Sequence, residues 1–286
     1  MTILGYGRAN GAISILHALG LGKGCSVGLE IGTKASIVEG EPSEVPDDKH
    51  GLLEAVLSTW ISEGFPPPKN FFWEVESEIP IGQGLKSSSA LSCAAMRALN
   101  NFAWTGLSDF EIADLAVQAQ RVANCTVTGS LDDVWASLSH GWKLVDPEKT
   151  ATESILLEGE MDLGMAVLIG LRGRRDLEVS RAAFLAQSQL FERAMASIIN
   201  GSPLEALSVN GMAVSAATDD FKGLRISNLS IASGAIAAGV SGSGPAIALV
   251  CYEADREALH AVLSDMEMDV IITHFSAPES VIEEAY

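Results

Sequence analysis

The chain of 286 residues is 48% hydrophobic and 6% aromatic, and it contains 27 glycines and 10 prolines. This composition is typical of a folded globular protein and excludes an extended disordered chain. Eighteen Lys and Arg residues stand against 37 Asp and Glu residues, so the formal net charge is -19. A surface of this charge repels phosphate backbones, and we expect no nucleic-acid partner. An anionic ligand therefore needs the few cations gathered at its binding site.

The sequence carries no signal for membrane insertion or secretion. Glycines and polar residues interrupt the N-terminal segment, and no apolar run approaches the roughly 20 residues of a membrane span. We therefore expect a cytoplasmic protein without a membrane partner. The cysteines lie far apart and lack the spacing of a metal site, so we expect free thiols at Cys25, Cys93, Cys125 and Cys251.

The first half of the chain alternates strand and helix patterns. Short β-branched runs separated by glycines predict a hairpin-rich start over residues 12–38. Apolar residues at helical spacing predict an amphipathic helix over 51–63, and three prolines follow it. A strand is predicted over 71–79. Two helices are expected next, one over about 88–103 and one from the capping residue Ser108 to about residue 122.

The polar segment 146–160 separates this half from an apolar strand over 161–171, and we take it as a domain boundary. We therefore predict an N-terminal domain over 1–150 and a C-terminal domain over 161–286. The second half is expected to continue with helices over 177–200, 204–217 and 227–238 and with strands over 246–252 and 270–275.

The strongest chemical signal is a loop between the predicted strand 71–79 and the helix that follows. Two glycines there allow backbone N–H groups to point into one concavity, and the helix N-terminus adds its positive dipole end. A lysine adds a full charge, and three serines offer hydroxyl donors, with Ser88 a candidate Mg²⁺ ligand. We predict that this loop binds phosphate groups through Pro80, Ile81, Gly82, Gln83, Gly84, Leu85, Lys86, Ser87, Ser88, Ser89 and Ala90.

The loop lacks the GxxxxGK[ST] spacing of a Walker A motif, because Lys86 follows a leucine. It resembles instead the P-x-x-x-G-L-x-S-S-S/A loop of the GHMP kinases. Residues 7–11 (GRANG) resemble the first motif of that superfamily, with Arg8 at the position of its lysine. Residues 240–246 (VSGSGPA) resemble its C-terminal glycine motif, which implies nucleotide contacts from Ser241, Gly242, Ser243 and Gly244.

The resemblance also implies a catalytic carboxylate. Residues 128–137 resemble the S-G-x-D segment of mevalonate and galactose kinases, which places Asp132 at the reacting hydroxyl and Arg8 beside it as a stabilising cation. Asn10 and Asp133 are then expected to contact the acceptor. An exposed turn is the alternative interpretation of the Asp-Asp pair.

One feature departs from the superfamily pattern. Many members carry a glutamate on the helix before this aspartate, where it helps to hold Mg²⁺, whereas the helix here offers only Gln118, Gln120 and Arg121. We expect the metal to be held mainly by phosphate, water and the hydroxyl of Ser88.

The acceptor is expected to carry a carboxylate, because residues 171–176 (LRGRRD) are the densest cationic spot in an acidic chain. The candidate contacts are Arg172, Arg174 and Arg175, and an exposed loop is the alternative. Taken with the forms of the other motifs, this run resembles the archaeal shikimate kinases within the GHMP superfamily. The resemblance implies ATP, Mg²⁺ and shikimate as ligands. A homoserine kinase or another GHMP metabolite kinase, or a non-catalytic nucleotide or metabolite sensor, remain the alternatives.

The resemblance implies an α+β fold with two parts. The first is an N-terminal mixed α/β domain, similar to domain 2 of ribosomal protein S5, that carries the phosphate-binding loop. The second is a C-terminal ferredoxin-like domain that supplies the loop 241–244. We expect the active site to lie between them.

Overall fold

The computed structural model describes residues 2–42, 46–48, 50–126, 129–173 and 179–278. In the first half the elements are β1 (Ile3–Leu16), α1 (Ala18–Leu21), β2 (Gly24–Glu39), α2 (Leu52–Ser62), β3 (Phe71–Ser77), α3 (Ser87–Ala103), α4 (Asp109–Val122), α5 (Leu131–Leu138), β4 (Trp142–Val145), α6 (Ala151–Ser154) and β5 (Ile155–Gly159). In the second half they are β6 (Met165–Leu171), α7 (Arg181–Leu185), α8 (Ser188–Ile199), α9 (Pro203–Ala217), α10 (Phe221–Ala232), β7 (Ala237–Val240), β8 (Ile247–Tyr252), a short 3₁₀ helix (Glu253–Asp255), α11 (Arg256–Ser264) and β9 (Asp269–His274).

The first sheet is organised around the long strand β2. It pairs antiparallel with β1 along its length, with β4 through residues 24–27 and with β3 through residues 33–39. Strand β5 extends the sheet beyond β4. The hairpin predicted at the start of the chain is thereby confirmed, and so is the strand predicted over 71–79.

Helices α2 and α4 confirm the predictions from apolar spacing and capping. The Ser108 side chain accepts from the Glu111 N–H while the Glu111 carboxylate accepts from the Ser108 N–H, which is a capping box at the start of α4. Helix α3 lies against β1 so closely that a Cβ on Gly7 would approach the Ala94 carbonyl oxygen to 2.2 Å. The glycine therefore allows the close approach of this helix to the sheet.

The outer edge of β1 is covered rather than open to another strand. The Tyr6 N–H donates to Asn101 Oδ1, and the Arg8 carbonyl accepts from Arg97. Farther along, the Ala12 N–H donates to the carbonyl of Leu85 at 3.1 Å. These contacts satisfy backbone groups of an edge strand and attach the phosphate-binding loop to the sheet.

The second sheet has the order β7-β8-β6-β9, and all neighbouring strands are antiparallel. Helices α7–α10 connect β6 to β7, a turn connects β7 to β8, and α11 connects β8 to β9. This β-α-β-β-α-β order is the ferredoxin-like arrangement, so the predicted fold class is confirmed.

Three predicted segments differ from the structure. The proposed boundary 146–160 contains α6 and β5, so the first sheet extends past residue 150. The helix predicted over 227–238 starts earlier, at Phe221, and ends at Ala232, and Ala237–Val240 form a strand because they pair with β8. The helix predicted over 177–200 divides into α7 and α8 within its described part.

One apolar core joins the two halves. It contains Ile13 and Val27 from the first sheet, Val167 and Ala248 from the second, and residues of α8 and α9. After β9 the chain returns to the first sheet, where the Ser276 N–H donates to the Gly28 carbonyl at 2.9 Å. Within the described part of the chain, no helix combines the length and apolar character needed to cross a bilayer.

Candidate active site

The two predicted loops and the Asp132–Asp133 pair converge on a cleft of about 310 Å³ between the two halves. Its walls are the phosphate-binding loop, the N-termini of α3 and α5, and the glycine loop 241–245, which precedes β8. The lining residues include Gly82, Gly84, Lys86, Ser87, Ser88, Ser89, Asp132, Asp133, Gly242, Ser243 and Gly244.

The N-terminus of α3 faces this cleft without a side-chain cap. Lys86 is the N-cap residue and adopts a left-handed conformation with φ of 65°, and its side chain makes no capping hydrogen bond. The first helical hydrogen bond recorded runs from the Ala90 N–H to the Lys86 carbonyl. The N–H groups of Ser87, Ser88 and Ser89 therefore lack intrahelical partners, as an anion-binding helix terminus requires.

The phosphate-binding loop and the glycine loop are in direct contact. The Ser241 hydroxyl donates to the Gly84 carbonyl at 3.0 Å, and the Ala246 N–H donates to the Gln83 carbonyl at 3.2 Å. Gly84 has φ of +80°, and a Cβ there would lie 2.2 Å from the Ser241 carbonyl oxygen. Both glycine motifs thus form one wall, and Gly84 is required by its conformation and by this contact.

Asp132 and Asp133 lie in the first turn of α5, where the helix dipole favours negative charge. The Ser26 hydroxyl lies within hydrogen-bonding distance of both, 3.2 Å from Asp132 Oδ2 and 2.9 Å from Asp133 Oδ1. Lys86 Nζ lies 2.8 Å from Asp133 Oδ1. The alternative interpretation of this pair as an exposed turn is wrong, because Asp132 is only 4% exposed.

The two carboxylates differ in their surroundings. Burial, followed by the negative charge of Asp133, raises the pKa of Asp132 to about 7, and Lys86 and Ser26 only partly oppose this shift. A carboxylate with this pKa is suited to accept a proton near neutral pH.

Arg8 and Asn10 do not share the cleft with Asp132. They line a separate cavity of about 470 Å³ with Arg97, Asp109 and the end of α5. Ser14 is the β1 residue that pairs with Ser26, and Arg8 precedes it by six positions, or roughly 20 Å of extended strand. The prediction that Arg8 lies beside Asp132 is therefore wrong, and Lys86 is the cation next to the aspartate pair.

Arg172 is already engaged within the protein. Its guanidinium forms a two-point ion pair with Asp220, and its Nε donates to the Pro245 carbonyl at 2.6 Å. In this arrangement Arg172 is not available to bind the acceptor carboxylate, contrary to the expectation from the sequence. Arg174 and Arg175, the other two predicted contacts, lie outside the described residues.

Several residues at the site had no motif to indicate them. Ser26 is an ordinary residue of β2, and only the packing of α5 on β2 brings its hydroxyl to the two aspartates. Ser14 lines the cleft with a buried hydroxyl that has no hydrogen-bond partner among the described residues. His17 lines it too, and its Nδ1 accepts from the Leu19 N–H. Strand pairing across distant segments was the missing information.

One of the three residues that the helix offers in place of the superfamily glutamate lies at this site. Gln120 is buried, accepts from the Ser89 hydroxyl at 3.2 Å and donates to the Ser92 hydroxyl at 3.1 Å. Across the described ranges, no group of three or more His, Cys, Asp or Glu side chains is arranged to hold a metal ion.

A second, more apolar cavity of about 250 Å³ adjoins the phosphate-binding loop. Ile81, Ser87, Ser88 and Cys125 line both this cavity and the main cleft. The remaining walls include Leu52, Val75, Ile79 and Leu91. A ligand with phosphate groups at α3 could therefore place a flat apolar group in this cavity.

The family of GHMP kinases, N terminal domain, matches residues 52–141. Among curated relatives, the shikimate kinase of Pyrococcus abyssi is 32% identical over 222 residues, which cover 73% of this chain and 78% of that protein. The shikimate kinase of Methanothermobacter thermautotrophicus is 27% identical over 278 residues, which cover 93% of each chain.

Solved structures show the same fold at low identity. The Methanococcus jannaschii mevalonate kinase aligns with a TM-score of 0.74 at 14% identity, covering 95% of this chain and 98% of that one. A Lactococcus lactis galactokinase complexed with galactose aligns with a TM-score of 0.73 at 12% identity, covering 96% of this chain and 94% of that one.

The two sheets and the paired glycine loops are thus those of the GHMP kinase fold. Within that class, the identity and coverage of the archaeal relatives are decisive. The chain belongs to the archaeal shikimate kinase family.

Proposed function

We propose that the protein transfers the γ-phosphate of ATP to the 3-hydroxyl of shikimate and releases 3-phosphoshikimate and ADP. The observation that carries this proposal is the cluster of Asp132, Asp133 and Lys86 at the point where both glycine loops meet the N-terminus of α3. A phosphate site and a buried candidate base thereby face the same space, as phosphoryl transfer to an alcohol requires.

The nucleotide phosphates would lie at the N-terminus of α3. The free N–H groups of Ser87, Ser88 and Ser89 and the charge of Lys86 suit a polyphosphate in an otherwise acidic protein. The glycine loop 241–244 would cover the phosphates from the other side. The apolar cavity beside Ile81 and Leu91 would receive the adenine ring.

Magnesium fits this site as an ion held partly by substrate and water. The Ser88 hydroxyl lines the cleft, and the Asp133 carboxylate is placed in the same cleft, so these two groups would hold the ion or its water shell. When bound, Mg²⁺ neutralises charge on the β- and γ-phosphate oxygens. Gln120, one of the residues that this helix offers in place of the superfamily glutamate, would provide an uncharged amide, so its contact to the metal shell would be weaker than that of a carboxylate.

Asp132 would accept or orient the proton of the reacting hydroxyl. Its raised pKa means that a substantial fraction is ionised near neutral pH, while its proton affinity remains higher than that of an ordinary carboxylate. The Ser26 hydroxyl donates to the Asp132 carboxylate and orients it. Lys86 would stabilise negative charge that develops on the transferred phosphoryl group. The acceptor itself would occupy the part of the cleft lined by Ser14, His17 and Val179.

The test is ADP release by the purified protein with ATP and Mg²⁺, offering shikimate, homoserine, mevalonate and galactose in parallel, with the phosphorylated product identified by ³¹P NMR. Turnover with shikimate alone is the expected result. Turnover only with another acceptor would overturn the assignment of shikimate as the substrate. Nucleotide binding without turnover of any acceptor would favour the function of a non-catalytic sensor. The Asp132→Asn variant serves as the matched inactive control.

A further inference from the structure

Arg172 sits at the end of β6 with its side chain only 10% exposed, and all three guanidinium nitrogens have partners. Nη1 donates to Asp220 Oδ1 at 2.9 Å, and Nη2 donates to Asp220 Oδ2. Nε donates to the Pro245 carbonyl at 2.6 Å. This fork geometry is the one in which arginine, and not lysine, binds a carboxylate at two points.

The partners of Arg172 are themselves anchored. Asp220 is the N-cap of α10 and accepts from the Gly223 N–H at 2.8 Å. Burial favours the neutral form of Asp220, but the hydrogen bonds from Arg172 and Gly223 outweigh burial and leave its pKa below the ordinary value. The Arg172–Asp220 ion pair is therefore held in place within the second half, and the carbonyl of Pro245 is hydrogen-bonded to it through Arg172.

Pro245 ends the glycine loop, and this loop contacts the phosphate-binding loop on its other side. Ser241 donates to the Gly84 carbonyl, and Ala246 donates to the Gln83 carbonyl. The Gln83 amide in turn donates to the carbonyl of Gly173, directly after Arg172, at 2.5 Å. Arg172 and Gly173 thus support both glycine loops at the point where they meet.

We propose that Arg172 is a positioning residue for the nucleotide: through Asp220 and Pro245 it holds the glycine loop 241–245 against the phosphate-binding loop. This inference rests on the proposed function in taking ATP as the ligand of the two loops. It assigns Arg172 a role opposite to the one suggested by its sequence neighbours, because a guanidinium committed to Asp220 and Pro245 does not serve the acceptor carboxylate.

The two roles separate in measurements of each ligand. A positioning role lowers nucleotide affinity when Arg172 is changed and leaves the Michaelis constant for the acceptor unaffected. An acceptor-binding role does the reverse. A merely structural role lowers the melting temperature and the amount of active protein without moving either ligand constant in the folded fraction.

The experiment compares full-length wild type with Arg172→Ala, Arg172→Lys and Asp220→Asn. Binding of ADP and ATP is measured by calorimetry without acceptor, and the Michaelis constants for ATP and shikimate are measured separately. The control is Arg256→Ala, which removes an arginine paired with Glu253 and Glu257 on the surface. Melting temperatures identify any variant that does not fold. If Arg172→Ala does not fold, the test uses the milder variants Arg172→Lys and Asp220→Asn.

We expect nucleotide affinity to fall at least tenfold in Arg172→Ala and less in Arg172→Lys, because a lysine keeps the charge but loses the fork. Asp220→Asn should also weaken nucleotide binding, and Arg256→Ala should not. A raised Michaelis constant for shikimate with unchanged nucleotide affinity would overturn the inference, as would unchanged constants for both. Failure of the wild type to bind ATP would overturn the proposed function as well. Normal turnover by the wild type, with nucleotide affinity unchanged in the Arg172 and Asp220 variants, would overturn this inference alone.

Discussion

Lys86 forms its ion pair with Asp133, at 2.8 Å, and not with the neighbouring Asp132. The cation therefore pairs with the carboxylate that is next to the candidate base, while burial and the charge of Asp133 keep the pKa of the base itself raised. Two adjacent aspartates in the first turn of one short helix are in this way given different properties.

Replacing Asp132 by Asn should reduce kcat at least a hundredfold, because the neutral amide cannot accept the proton of the acceptor hydroxyl. Nucleotide affinity should remain within a few-fold of the wild type, since the N-terminus of α3 is unchanged. Steady-state kinetics and calorimetric ADP binding provide the two readouts. Near-normal turnover would remove Asp132 from the mechanism.

The same substitution should stabilise the protein at alkaline pH. The folded pKa of Asp132 is raised to about 7, above its unfolded value, so its contribution to stability is complete below the unfolded pKa and is lost as pH rises through about 7. Asp132→Asn, which cannot ionise, should melt at a higher temperature than wild type at pH 8, with a smaller difference at pH 5. A difference between variant and wild type that is the same at pH 5 and pH 8 would contradict the raised pKa of Asp132.

Activity should increase with pH through a limb centred near the pKa of Asp132, about 7. Asp133→Asn should move this limb to lower pH, because it removes the negative charge beside the base while leaving Lys86 in place. The measurement is kcat/KM for shikimate over pH 5 to 9, which reports the pKa of the enzyme before the acceptor binds. A limb that does not move would mean that another group controls the profile.

Lys86→Met should weaken nucleotide binding at least tenfold and move the same limb to higher pH, since Lys86 is a cation that lowers the pKa of Asp132. The matched control is Lys34→Met, which removes a lysine from an exposed pair with Glu76. Comparable effects from both variants would show that the response reflects overall charge and not the site.

The sequence was sufficient for much of the site because its motifs are local. The loop 80–90 and the glycine loop each lie within one short segment, where residue types alone indicate the backbone. Arg8 was misplaced because a five-residue motif on a strand does not show which cavity its side chain enters. The ion pair of Arg172 was not predictable from the sequence, because its partner, Asp220, is 48 residues away.

The same distinction applies to the fold. Helix α4 was predictable from its capping box and apolar spacing. The predicted helix 227–238 wrongly included Ala237 and Ala238, the start of β7, because alanine favours helix until pairing with β8 overrides that preference. Helix α5 was missed because it has only eight residues and its N-cap residue, Ser130, has a positive φ of 51°. Its position depends on Ser26 and Lys86 in distant segments.

Gly84→Ala should destabilise the protein and weaken nucleotide binding, because the new Cβ would meet the Ser241 carbonyl oxygen. Gly64→Ala is the matched control, since Gly64 has nearly the same φ, +84°, with no atom within 4 Å of the added Cβ. We expect about 1–2 kcal/mol of backbone strain in both variants by urea unfolding. Only the excess in Gly84→Ala reports the loop contact, and equal losses would contradict it.

Arg8→Ala should leave kcat within about threefold of wild type, because Arg8 lines a separate cavity from Asp132. This outcome is opposite to that expected from the superfamily motif, in which the residue would stabilise the reacting groups. Steady-state kinetics decides between them, and a loss of a hundredfold or more would restore the motif-based role.

The hydrogen bond from Ser241 to Gly84 joins residues separated by 157 positions. Its formation must wait until most of the chain has been synthesised and both sheets have met, because neither loop has its partner before then. Contacts of such sequence separation form slowly, because closing the long intervening chain costs conformational entropy. Nucleotide can therefore bind only after the two loops have met. ATP in the cell would stabilise the fully folded protein by mass action and would not stabilise either half alone.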